Sequence, residues 1–71
     1  MTEVAIRGDM IRLGQLLKLS VLADDGVHAK EILARGVVRV NGEPELRRGR
    51  QLHPGDAVNV DGKHLTVAAS A

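Results

Sequence analysis

The apolar residues of this chain change their period once, and the change falls at Gly36. Before it, Leu13, Leu16 and Leu17 recur at i, i+3, i+4, the spacing of one helix face, and Ala29, Ile32 and Leu33 repeat that spacing. After it, Val38 and Val40, Val58 and Val60, and Leu65 and Val67 alternate with polar neighbours, the period of a half-buried strand. A helical half followed by a strand half predicts an α+β domain: two short helices packed on a small curled antiparallel sheet. Neither helix is long enough to be stable alone in water. Both must therefore bury their stripes against each other and against the valine face of the sheet.

Turn residues place the boundaries. Val4 and Ile6 alternate in a possible short edge strand, and Asp9 is a candidate cap for the first helix. Ser20 to Gly26 reads as a connection. Asp25 is expected to cap a second helix from about Gly26 to Arg35, with Gly36 at the position of a C-terminal cap. Asn41-Gly42 and Asp61-Gly62 are two-residue hairpin signals, and Pro54-Gly55-Asp56 is a further turn. Pro44 excludes a regular central strand at its position. Arg47-Arg48-Gly49-Arg50 reads as a polar loop. Residues 1–71 thus form one domain, with a core over about 12–67 and a frayed tail over 68–71.

Composition narrows the function classes. A chain of 71 residues is one domain at most. At this size about 60% of the unfolded surface is buried, so stability is modest. Phe, Tyr, Trp and Cys are all absent, so the core is Leu, Ile, Val and Ala. Aromatic base-stacking platforms, disulfides and thiolate zinc sites are excluded. The lack of cysteine fits a reducing cytoplasm. No long apolar run marks a signal peptide or membrane span.

Catalysis finds little support. His28, His53 and His64 are too dispersed for a metal triad, and no H-E-x-x-H or Gly-rich phosphate loop is present. Ser20 and Ser70 fall in a connection and a tail, where nothing braces a nucleophile. Asp24-Asp25 is better explained by turn and cap chemistry. A domain this small has little room for an ordinary ligand pocket. No enzyme activity, cofactor, metal or small-molecule substrate is expected.

Charge is segregated although the net charge is only +1. From His28 to Arg50, Lys30, Arg35, Arg39, Arg47, Arg48 and Arg50 face only Glu31, Glu43 and Glu45, while both flanks are slightly acidic. Such asymmetry points to an anionic partner. Arg39 lies opposite Val38 and Val40 on its strand and should face solvent. Three guanidinium groups within Arg47-Arg48-x-Arg50 repel one another unless something anionic lies nearby, and their planar forks match phosphate. The competing explanations are local: a Glu31–Arg35 helix pair, Glu43 and Glu45 neutralising Arg47 and Arg48, and plain solvation of Lys30 and Arg39.

The run Leu13-Gly14-Gln15-Leu16-Leu17-Lys18-Leu19 resembles the first helix of the S4-like RNA-binding domain. Ala29-Lys30 through Ile32-Leu33, Gly36, Val38, Val40-Asn41-Gly42 and Pro54-Gly55-Asp56 resemble its second helix, strand and turns. The stretch Asn41 to Arg50 is similar to the small stand-alone bacterial YbcJ/YaaA-like branch. The resemblance covers about residues 12–60. It implies the αL motif, a helix–turn–helix followed by a β-hairpin region, which binds structured RNA. Carried over, it assigns RNA contacts to Arg12, Lys18, Lys30, Arg35, Arg39, Arg47, Arg48 and Arg50. Many members of the wider family open helix two with a Ser-Arg pair, where this chain has Asp25-Gly26. An arginine contact at position 26 is therefore missing, although a bare glycine lets backbone N–H groups approach a phosphate.

The expectation is a bacterial, cytoplasmic, monomeric and non-catalytic RNA-binding module. It would dock a basic face onto the phosphates of structured RNA, ribosomal or transfer RNA among them. The alternative is a protein-interaction or ribosome-associated module whose basic face meets an acidic partner, with duplex DNA third.

Overall fold

The computed structural model describes residues 2–20, 23 and 25–70. The elements run β1 (Thr2–Ile6), β2 (Ile11–Arg12), α1 (Leu13–Leu19), α2 (Gly26–Ala34), β3 (Val38–Val40), β4 (Glu43–Pro44), β5 (Gln51–Leu52), β6 (Ala57–Val60) and β7 (Lys63–Ala69). This is the expected α+β architecture, with the two helices packed against each other and onto the sheet.

The helices form where the apolar stripes place them. Leu13, Leu16 and Leu17 of α1 are completely buried, as is Ala29 of α2, with Ile32 and Leu33 nearly so. The Asp25 carboxylate accepts the His28 N–H at 2.8 Å, the expected N-cap of α2. Asp24, its neighbour in sequence, lies outside the described residues. Gly36 closes α2 with a left-handed φ of +73°, its N–H donating to the Leu33 carbonyl at 3.1 Å.

Asp9 does not cap α1. Ile11 and Arg12 are engaged in an antiparallel ladder with Leu52 and Gln51. That pairing holds the chain extended through Arg12, so the helix begins only at Leu13. Gln15 Oε1 accepts the Arg12 N–H at 3.3 Å and provides the local closure instead.

The main sheet has the order β1-β7-β6-β3-β4, and β2 and β5 form a separate two-stranded ribbon. Both hairpin signals are realised: Asn41-Gly42 joins β3 to β4 and Asp61-Gly62 joins β6 to β7, with positive φ at all four residues. Pro44 sits in the edge strand β4, where its missing N–H costs no ladder bond. The sheet is mixed rather than antiparallel, because β1 pairs in parallel with β7 from Thr2↔Leu65 to Ile6↔Ala69. The same pairing corrects two further expectations. Ala68 and Ala69 belong to β7, and the Ser70 N–H reaches the Ile6 carbonyl at 3.1 Å, so 68–70 are paired rather than frayed. The core starts at Val4 and Ile6, ahead of residue 12.

The core contains only Val, Ile, Leu and Ala, and it fills the space between the helices and the inner face of the sheet. Val38, Val40, Val58, Val60, Leu65 and Val67 supply that face. The intervening residues point the other way, so Arg39, Asn59 and His64 lie side by side on the outer face in register.

Candidate nucleic-acid interface

The first N–H groups of a helix have no partner within it. In α1 the Leu13 N–H donates to the Arg50 carbonyl at 2.8 Å, and the Gly14 N–H donates to the Arg48 carbonyl at 2.9 Å. These two bonds fasten the loop between β4 and β5 onto the start of α1. The approach is close, and with Arg48 in this position no room is left for a side chain at residue 14. A Cβ there would overlap Cγ of Arg48, whose chain lies across the helix. The Arg48 guanidinium extends toward Gly26, the first residue of α2.

The result is a groove of about 360 Å³ lined by Arg12, Gly14, Gln15, Lys18, Gly26, Arg48 and Gly49. Three cations surround three glycines; the Arg48 chain covers Gly14, and Gly26 and Gly49 bring open backbone to the same concavity as the positive charge. Arg12 is held in place by its Nη1, which donates to the Gly49 carbonyl at 3.2 Å. Lys18 and Arg48 are exposed and make no side-chain hydrogen bond or ion pair to any described residue. Their charges are available to a ligand.

Arg47 and Arg50 line a second cleft with Gly49, Gln51 and His53. Gly49 lines both, so the two concavities are neighbours on the β4–β5 loop. The charge of this cleft is partly spent, however. Glu45 is buried beneath it and pairs with Arg47 Nε at 3.2 Å and Arg50 Nη1 at 2.9 Å. Hydrogen bonds from the Arg47 side chain and backbone, then from Arg50, hold the Glu45 carboxyl down at a pKa of about 2. The arginine cluster is therefore not three equivalent phosphate donors. Arg48 is free, Arg47 is tethered but 77% exposed, and Arg50 is tethered and only 34% exposed.

The remaining site residues expected from sequence are dispersed. Lys30, on α2, and Arg35, which follows it as the C-cap, are exposed outside both concavities. The Glu31–Arg35 pair, the competing explanation for Arg35, does not form, and among the described residues neither Lys30 nor Arg35 has a side-chain partner. Arg39 lies on the outer face of the sheet, away from the helices, where its Nη1 reaches the Gly42 carbonyl at 3.4 Å. Gly14, Gln15 and Gly49 are lining residues that charge counting passes over. The available signal was Gly14 itself, because glycine inside a helical pattern is unfavourable unless something approaches closely.

No cluster of three metal-ligating side chains occurs among the described residues, and none of their helices is long and apolar enough to cross a membrane.

A helix pair on a curled mixed sheet, with a cationic groove where the first helix meets the β4–β5 loop, defines a small module suited to an anionic polymer. The model of the S4 domain family matches residues 4–68, and the chain belongs to that family. It is 46% identical over 59 residues to the probable ribosome maturation protein RlbA of Bacillus subtilis (strain 168), covering 83% of each chain. It is 40% identical over 60 residues to the small ribosomal subunit protein uS4m of Schizosaccharomyces pombe, and that match takes 84% of this chain but 18% of the longer protein. The crystal structure of the 30S ribosomal protein S4e from Thermoplasma acidophilum superposes with a TM-score of 0.61 over 80% of this chain and 30% of that one. At 24% identity this last likeness concerns the fold.

Proposed function

We propose that this protein is a non-catalytic RNA-binding module that acts in the assembly or maturation of ribosomes. It seats the backbone of a structured RNA in the groove between α1, α2 and the β4–β5 loop. The observation that carries the proposal is the convergence of Arg12, Lys18 and Arg48 on one concavity that Gly26 and Gly49 also line. Cations supply phosphate affinity, and Gly26 and Gly49 let the sugar–phosphate chain approach the main chain. The absence of aromatic residues leaves no aromatic stacking surface for splayed bases, so recognition is of shape rather than sequence. Membership of the S4 family and the similarity to two ribosome-related proteins support a ribosomal setting. The module works in the cytoplasm as a monomer, with Arg47 and Arg50 at the rim and Lys30, Arg35 and Arg39 as peripheral charges.

The test is a titration of a labelled RNA hairpin by fluorescence anisotropy at about 0.1 M salt, a concentration where phosphate contacts still contribute strongly. Lys18→Gln is expected to weaken binding about sixfold, since one contact of slope about 0.8 is worth that factor between 0.1 M and 1 M salt. Unrelated hairpin sequences of the same shape should bind alike. An acidic protein partner is the competing occupant. Retention of the module on ribosomal particles that survives complete RNA digestion, with no affinity for RNA alone, would favour it.

A further inference from the structure

Glu45 is the one charged side chain buried among the described residues, and it sits beneath a surface proposed to bind a polyanion. Charge alone makes it unfavourable there. Its contacts give it a different role. Its own N–H donates to the Val38 carbonyl at 3.0 Å, which anchors it to β3. Oε2 accepts the N–H groups of Leu46 and Arg47, both at 3.1 Å, and Arg47 Nε at 3.2 Å. Oε1 accepts Arg50 Nη1 at 2.9 Å and Arg47 Nη2 at 3.4 Å. One carboxylate therefore ties both ends of the loop to the sheet. The carbonyls of Arg48 and Arg50 then meet the N–H groups of Gly14 and Leu13, and the Gly49 carbonyl holds Arg12.

We propose that Glu45 is a positioning residue for RNA: it fixes the β4–β5 loop so that Arg48 and Arg12 converge on the groove beside Lys18. The proposal rests on the RNA-binding function above. It goes further by assigning affinity to an acidic residue that touches no phosphate. A preorganised loop binds without paying for its own ordering at the moment of contact.

Electrostatics and positioning give opposite signs for one substitution. Glu45→Gln removes a negative charge and releases Arg47 and Arg50 toward the RNA. If Glu45 only neutralises those arginines, affinity rises and the dependence of log affinity on log salt steepens. If Glu45 positions the loop, affinity falls about fivefold or more and the slope flattens by about one phosphate contact. Affinities are compared per folded molecule, with the folded fraction measured by circular dichroism, so lost stability alone moves neither quantity. Unchanged or increased affinity and slope would overturn the proposal.

Should Glu45→Gln not fold, Glu45→Asp carries the test. It keeps the charge and the turn bonds to Leu46 and Arg47 but draws the carboxylate back from Arg50. It is expected to lose about threefold in affinity with a flatter slope, and wild-type values would overturn the proposal. Amide exchange without RNA separates the two layers of inference. The Leu13 and Gly14 amides are expected to exchange about tenfold faster in the variant that folds, because their acceptors lie in the loop. If wild-type protein binds no RNA hairpin, the RNA-binding function fails, and unchanged exchange at these two amides would independently refute the positioning role.

Discussion

Gly14→Ala separates stability from binding. A methyl group at position 14 would overlap Cγ of Arg48 and come within 3.1 Å of its Cδ, while the nearest backbone atom, the Arg48 carbonyl, stays at an ordinary 3.5 Å. The clash is therefore with a side chain. Cγ lies near the base of the side chain, so Arg48 escapes by rotating about its Cα–Cβ bond into another staggered well. Arg48 is exposed, so leaving its seat forfeits little packing. Alanine meanwhile raises helix propensity by up to about 1 kcal/mol over glycine, less in a first turn. The net change in stability is expected between zero and about 1 kcal/mol in favour of the variant. For a domain of this size that is a rise in Tm of at most about 4–8 °C.

Binding should change in the opposite direction. Arg48 displaced from the groove removes one phosphate contact. The salt slope flattens by about 0.7–0.9, and affinity at 0.1 M salt falls about sixfold. Thermal melting by circular dichroism and anisotropy titrations at several salt concentrations read the two effects separately. Wild-type affinity and slope in a stable Gly14→Ala protein would show that Arg48 in the groove meets no phosphate. A large loss of stability would show that the loop backbone, not just the Arg48 side chain, is packed tightly against α1.

Val60 is 5% exposed and pairs with Val38 in the sheet, so Val60→Asp buries an unpaired charge and should cost several kcal/mol, most of the stability of so small a domain, as thermal melting would show. Leu52 is fully buried where the β2–β5 ribbon meets the core, and Leu52→Ala is expected to cost about 2–5 kcal/mol in urea denaturation. Glu45 titrates in the folded state well below its ordinary 4.5, so its contribution is complete above about pH 5 and is lost as pH falls toward 2; the Tm of wild type should drop across that window more steeply than the Tm of Glu45→Gln. Arg39 and His64 lie on the outer face of the sheet, so Arg39→Gln and His64→Ala should each leave affinity within about threefold in the anisotropy assay, the size of a rim contact.

What could be read from sequence was what repeats locally. The leucine and valine stripes, the Asp25 cap, the Gly36 stop and both Asn-Gly/Asp-Gly turns each act within a few residues, and each is realised in the fold. The missed features depend on partners far along the chain. Strands β2 and β5 are two residues each, too short to show any period, and exist because residues 11–12 meet residues 51–52. The parallel pairing of β1 with β7 joins opposite ends of the chain and leaves no local mark. Glu45 was legible as a neutraliser of neighbouring arginines but not as a buried anchor. Its anchoring depends on the Val38 carbonyl of β3 and on Arg50 at the far end of the loop. The proposed site follows the same pattern: the basic residues are visible along the chain, but which of them converge depends on the two loop carbonyls that cap α1. That geometry selects Arg12, Lys18 and Arg48 and sends Arg39 to the other face.

The central claim is the location of the RNA, and amide chemical shifts of isotope-labelled protein during titration with an RNA hairpin test it most directly. Gly14, Gly26 and Gly49 line the groove and should report binding as backbone probes. Their amides, with that of Arg48, are expected to shift first and furthest, while those of Arg39, Asn59 and His64 on the outer sheet face stay near their free positions. Shifts concentrated on the outer face, or on the apolar cleft of Ile6, Met10, Ile11 and Leu19 on another side of α1, with the three glycines unmoved, would contradict the account.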